Sequence, residues 1–110
     1  MPTFTDRRSV AANAKVDNVM AGSIYEFLPA DSLVEFGLQA SAIGLNASVV
    51  SGTDVLLDDQ EVAAQNRIAV YPDDFTLNDI AGEGERLKVG YRNTTGAAIN
   101  AFTVVKISPL

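Results

Sequence analysis

The chain has 110 residues, 47% of them hydrophobic and 20% charged, a balance that supports one packed domain and argues against overall disorder. It has no histidine, no cysteine and no tryptophan, which excludes disulfides, the familiar zinc sites and the Ser-His or Cys-His nucleophile pairs. A formal charge of −6 argues against nucleic acid as a partner, because phosphate binding needs a net basic surface.

Met1 to about Met20 has no sustained period and is rich in Ala, Asn, Ser and Thr. One weak helical turn around Arg7–Lys15 fits the propensities, but an extended arm, ordered only when something ties it down, is the simpler reading. The expected organisation is therefore an arm over 1–22 and a β-domain over 23–110. No apolar signal-peptide core follows Arg7 and Arg8, and no apolar stretch approaches the roughly 20 residues of a membrane helix. Neither a cleaved export signal nor membrane insertion is expected.

From Ser23 the period becomes two. Ile24–Leu28 reads as a strand ended by Pro29-Ala30-Asp31. In the next segment Val34, Phe36, Leu38, Ala40 and Ala42 form one face, with Glu35, Gly37, Gln39 and Ser41 on the other, as in a half-buried strand. Asn46–Ser51 and Thr53–Leu57 follow, joined at Ser51-Gly52, a tight-turn signal. Arg67–Tyr71 reads as a short strand stopped by Pro72-Asp73-Asp74, and Phe75–Ile80 has room for one helical turn capped by Asp74. Arg86–Arg92 alternates Leu87, Val89 and Tyr91 against Arg86, Lys88, Gly90 and Arg92; Asn93-Thr94-Thr95-Gly96 and a β-rich run from Ile99 to Ile107 then complete a predicted hairpin. Its last strand is apolar on both faces, with Ile99, Ala101, Val105 and Ile107 on one and Phe102 and Val104 on the other. That places it centrally in a sheet or under a partner. About seven short strands predict an all-β fold, a small single-domain sandwich or barrel.

Carboxylates are the only catalytic material. Asp58, Asp59 and Glu61 are expected in one loop, Asp73 and Asp74 in another, and Glu83 and Glu85 in a third. Adjacent acids beside turns are usually solvated, and a glycosidase would also present aromatic platforms to its sugar. The same clusters offer calcium hard oxygen ligands, although no D-x-[DN]-x-[DN]-G loop is present. Gly82-Glu83-Gly84 reads as a turn, since no third glycine or helix follows and the glutamates repel phosphate. Asn46-Ala47-Ser48 and Asn93-Thr94-Thr95 match the glycosylation pattern but read as turn chemistry. Tyr25, Phe27 and Phe36 read as core aromatics. No catalytic, cofactor-binding or metal-binding residue is assigned, and no enzyme activity is expected.

Charge is segregated along the chain. Arg7, Arg8 and Lys15 lie near the start, and Arg86, Lys88, Arg92 and Lys106 near the end; Val16 to Asn66 holds acids but no Lys or Arg. Such a distribution suits copies docking on one another or on a larger surface. The candidate interface residues are Arg7, Arg8, Lys15, Arg86, Lys88 and Arg92.

Across most of its length the chain resembles the decoration (cement) and minor capsid proteins of tailed bacteriophages. The resemblance is one of profile: a polar arm, then Asn18-Val19-Met20-Ala21-Gly22-Ser23-Ile24-Tyr25-Glu26-Phe27, Asn66-Arg67-Ile68-Ala69-Val70-Tyr71-Pro72-Asp73-Asp74-Phe75, Gly84-Glu85-Arg86-Leu87, and Arg92-Asn93-Thr94-Thr95-Gly96-Ala97 before a final strand. It implies a β-domain made in the host cytoplasm and carried on the capsid surface. Its partners would be the major capsid protein and copies of itself, trimers being favoured, and its task would be to bridge capsomers against internal pressure. The arm would order along the shell at a cost of about 1–2 kcal/mol per residue, so removing Met1–Met20 would spare the domain and weaken binding. The alternatives are a head–tail or tail adaptor and a carbohydrate- or ligand-binding β-module.

Overall fold

The computed structural model describes residues 3–69, 74–75 and 77–110. Eight strands follow in chain order: β1 Thr3–Val10, β2 Lys15–Val16, β3 Ser32–Ala40, β4 Leu45–Ser51, β5 Asp54–Glu61, β6 Leu77–Ala81, β7 Leu87–Asn93 and β8 Ile99–Pro109. No helix occurs among the described residues. The strands form two antiparallel four-stranded sheets, ordered β1-β8-β3-β6 and β2-β7-β4-β5.

That order has a simple origin. Folding the chain back on itself at the β4–β5 hairpin sets β1 beside β8, β2 beside β7, β3 beside β6 and β4 beside β5, and all four pairs are hydrogen-bonded. Wrapping this double ribbon sends alternate pairs to opposite sheets, and β3–β8 and β4–β7 pairing closes each one. The result is the eight-stranded jelly-roll form of the β-sandwich.

The period-two faces meet between the sheets. Val34, Phe36 and Ala40 of β3 and Ile99, Ala101, Val105 and Ile107 of β8 lie over Leu45, Ala47 and Val49 of β4 and Leu87, Val89 and Tyr91 of β7. Each of the Val, Leu, Ile and Phe side chains among them contributes about 1.5–3 kcal/mol when fully buried. Strand β8 is hydrogen-bonded on both edges, and Phe102 and Val104 on its outer face are also buried. Their cover comes from the β5–β6 connection. Its start is pinned by Val62 N–H to Leu45 O and Asn66 N–H to Ala40 O. Farther along, a Cβ on Gly37 would stand 2.7 Å from the Phe75 ring and 2.8 Å from the Ala69 methyl, so the bare glycine lets this segment lie on the sheet.

Several expectations need correction. Residues 3–22 are not an arm beside the domain but part of it: β1 pairs with β8 over eight consecutive residues, and Val10, Val19 and Met20 are buried. Neither is there a helical turn over Arg7–Lys15, where β1 ends and β2 begins. The β7 and β8 segments do not form a hairpin, because they belong to different sheets. Between them Asn93 is buried; its amide donates to Val10 O and Ala97 O and its carbonyl accepts from Thr95 N–H, turning the chain across the sandwich. Finally, Ile24–Leu28 forms no strand beyond a single Phe27–Arg86 bridge. Its backbone is held by turns such as Glu26 N–H to Ser23 O.

The predicted Arg67–Tyr71 strand is absent over 67–69. Its remainder, with Pro72 and Asp73, lies outside the described residues. Asp74 caps no helix and forms an ion pair with Arg67 at 2.5 Å. Leu77–Ala81 is a strand. Gly82-Glu83-Gly84 lies in the turn between β6 and β7, with Gly84 at φ 82°.

Candidate functional site

The outer face of the β2-β7-β4-β5 sheet gathers half of the candidate interface residues. Alternation on β7 sends Leu87, Val89 and Tyr91 inward and Lys88, Gly90 and Arg92 outward. Lys15 of β2 sits opposite Arg92, and Ser48 and Val50 project from the same side of β4. With Asp17, Asp58 and Asp59 these residues line a depression of about 370 Å³. Gly90 shapes it, because a Cβ there would lie 2.9 Å from the Asp17 carbonyl oxygen and 3.1 Å from that of Val16. Only glycine allows the chain at β2 to cross so closely.

Arg92 grips Asp59 with two bonds, Nε at 3.1 Å and Nη2 at 2.7 Å. The guanidinium holds the Asp59 carboxyl below its ordinary range, and the carboxylate raises Arg92 in return. Both side chains are nearly half exposed, at 47% and 46%, so the pair orients the surface more than it stabilises it. Asp59 has a left-handed backbone, φ 51°. Its N–H donates to Ser48 Oγ and its carbonyl accepts from Asn46 Nδ2, beside an irregularity in β4–β5 register. Lys15 lies 3.7 Å from Asp17. Lys88 is exposed and has no ion-pair partner among the described residues.

The other three candidates are placed elsewhere. Arg7 lies on the outer side of β1 over the Phe102 ring, 5.4 Å from its centroid. Arg8 binds Asp6 at 2.7 Å and reaches Val19 O, and its guanidinium is raised chiefly by that Asp6 bond. Arg86 precedes β7, paired with Glu26 at 2.7 Å and standing 5.9 Å from the Phe27 ring centroid. Lys106, on β8, belongs to the opposite sheet from Lys88 and Arg92.

Charge segregation thus has an internal use: Arg92 and Arg86 from the end of the chain neutralise Asp59 and Glu26 from its middle. Asp58, Asp59 and Glu61, expected in a loop, are on β5. Of the three aromatics read as core, Phe36 is buried, Tyr25 is partly buried against the core and Phe27 is 56% exposed. Tyr91 is the largest fully buried side chain, and the Leu87/Val89/Tyr91 alternation was the signal for it.

Tested against known proteins, the chain matches no protein-family model and no curated protein.

Proposed function

We propose that the chain is a structural virion protein, a decoration protein that docks on the outside of a capsid shell and bridges its capsomers. The observation that carries this reading is the charged outer face of the second sheet, where Lys15, Lys88 and Arg92 stand beside Asp17, Asp58 and Asp59 on a rigid two-layer scaffold. Jelly rolls serve in viral capsids, in lectins and in cupins, and fold alone does not choose among them. Two features favour the first use. The interior is packed with Phe36, Tyr91, Met20, Leu45 and Leu87, the density of a core and not of a ligand barrel. The depression is open and lined by charges of both signs, which suits reading a complementary protein surface.

On this reading the bound partners are the major capsid protein and further copies of the chain, and no catalytic step is involved. Docking runs through the β2-β7-β4-β5 face, because the N-terminal segment is committed to the fold. The test is to count the protein against the major capsid protein in density-purified particles. A ratio near one-to-one supports decoration. About a dozen copies or fewer would replace it with an adaptor role. Absence from particles would leave a ligand-binding β-module, for which the depression is the place to look.

A further inference from the structure

Strand β3 is longer than the neighbour on its outer edge. Strand β6 begins at Leu77, opposite Phe36, so β3 continues past it through Gly37 to Ala40. The edge is taken up again at Ala40, whose N–H donates to Ala63 O and whose carbonyl accepts from Asn66 N–H. Leu38 lies between these two anchors, and a cavity of about 360 Å³ opens beside it.

The walls of the cavity are apolar. Leu38 shares the core-facing side of β3 with Phe36, Leu77 is opposite Phe36 on β6, and Leu57 is opposite the buried Val49 on β4. All three are only partly buried against the core, and Val62 and Ala63 of the β5–β6 connection complete the lining. Gln39 lines the cavity too. Alternation puts it on the outer side of β3, so the cavity curls around the edge of the strand.

Gln39 brings an unused donor. Its side chain is only 2% exposed, and its oxygen accepts from Gln65 N–H at 3.3 Å. A backbone N–H can only donate, which fixes the other branch of the amide as the nitrogen. No described residue accepts from that nitrogen. Nor is it sealed away, because the sealed polar atoms without a partner among the described residues are Ser51 Oγ and Asp79 Oδ2. Buried amides are almost always satisfied, and a donor left to a cavity is satisfied by what enters it. The rim sets the charge. Asp74 is engaged by Arg67, whereas Glu61 has no cationic partner among the described residues. An entering anion would meet the Glu61 carboxylate unopposed.

We propose that this cavity binds an uncharged aliphatic compound bearing a carbonyl group. The aliphatic chain lies among Leu38, Leu57, Leu77 and Val62, and the carbonyl oxygen accepts from Gln39 Nε2. The volume falls within the roughly 300–1,000 Å³ of small-molecule pockets, and apolar walls with a few orienting polar groups are their usual make-up. The site lies at the margin between the sheets, outside the closed core. It does not use the charged outer face of the second sheet and does not depend on the docking reading above.

The experiment is a titration of the full chain, labelled with nitrogen-15, with hexanamide, followed by amide NMR. Hexanoate serves as the anionic comparator. The expected result is saturable shifts at Leu38, Ala63 and the Gln39 side-chain amide, with hexanoate binding several-fold more weakly. Gln39→Met keeps the length of the side chain and removes the donor, so hexanamide binding should weaken about two- to tenfold. Ala63 is exposed, so Ala63→Leu should fill the cavity and abolish binding while leaving Tm unchanged. Glu61→Gln should bring hexanoate up towards hexanamide. The proposal is overturned if hexanamide gives no saturable shift at these positions, or if Ala63→Leu or Gln39→Met binds it as well as the parent. Hexanoate binding the parent as tightly as hexanamide overturns the assigned ligand class.

Discussion

The Tyr91 hydroxyl lies deep between the sheets, bonded to Thr103 of β8, and burial pushes its pKa far above the usual phenolic range. Neither group reaches water, so each satisfies the other. Tyr91→Phe should strand the Thr103 hydroxyl and cost about 1–3 kcal/mol, whereas Tyr91→Phe with Thr103→Val should recover much of the loss. Urea unfolding of the single and double variants measures that coupling. Thr103 falls on the same face as Ile99, Ala101, Val105 and Ile107, and its place there is hard to see in the sequence because a hydroxyl interrupts an apolar list. A second residue governs acid stability. Glu26 accepts from Gly22 N–H and from Arg86, and these bonds hold its carboxyl below the ordinary range of about 4.3. A depressed folded pKa adds stability above the unfolded value, and that stability disappears as pH falls through the folded value. Glu26→Gln should therefore lower Tm at pH 7 and flatten the decline of Tm between neutral pH and about pH 3, as read by melting across a pH series.

Among the elements, β1 shows why legibility was uneven. Its core-facing positions are Phe4, Asp6, Arg8 and Val10, an alternation with a charge pair in the middle. Asp6 and Arg8 neutralise each other at 2.7 Å, so the strand fits a sheet edge although its hydropathy resembles a polar tail. Strands β3 and β7 were plain in the sequence because Val34, Phe36 and Ala40 of the one and Leu87, Val89 and Tyr91 of the other recur with period two and are buried. The two-sided apolarity of β8 correctly announced a strand covered on both faces, but not that a connection from its own chain covers the outer one. Alternation also cannot say which sheet a strand joins, hence the mistaken β7–β8 hairpin. The charged face was half legible: Lys88 and Arg92 follow from β7 periodicity, while Lys15 and Asp59 arrive through pairing between distant segments. Deleting residues 1–20 tests the assignment of β1. Val10, Val19 and Met20 would leave the core, each worth about 1.5–3 kcal/mol, against a total stability of about 5–15 kcal/mol for an ordinary domain. The truncated chain should lose its cooperative melt by circular dichroism, whereas a dispensable arm would leave the melt intact.

For the whole molecule, docking and stability should separate. Lys88 is exposed and carries no ion pair among the described residues, so Lys88→Glu should change unfolding stability by less than about 0.5 kcal/mol. On the proposed reading it should nonetheless weaken binding to particles, and binding of the parent chain should fall as salt is raised. Co-sedimentation with purified shells at two ionic strengths, alongside a urea melt of the same variant, checks both halves. Equal binding by Lys88→Glu and the parent would remove this face from the docking role.

The central position of β8 has a consequence for synthesis. Strands β1 and β3 both hydrogen-bond to a partner that is the last strand of the described chain. A ribosome delivers that partner only after every other strand has emerged, so the first sheet has no middle until then. Until β8 arrives, β1 and β3 each expose an unpaired edge, the kind of surface on which chains cross-associate. A nascent chain stalled before Ile99 is therefore not a smaller sandwich but an open one. For the first sheet, the arrival of β8 is the event that joins β1 to β3.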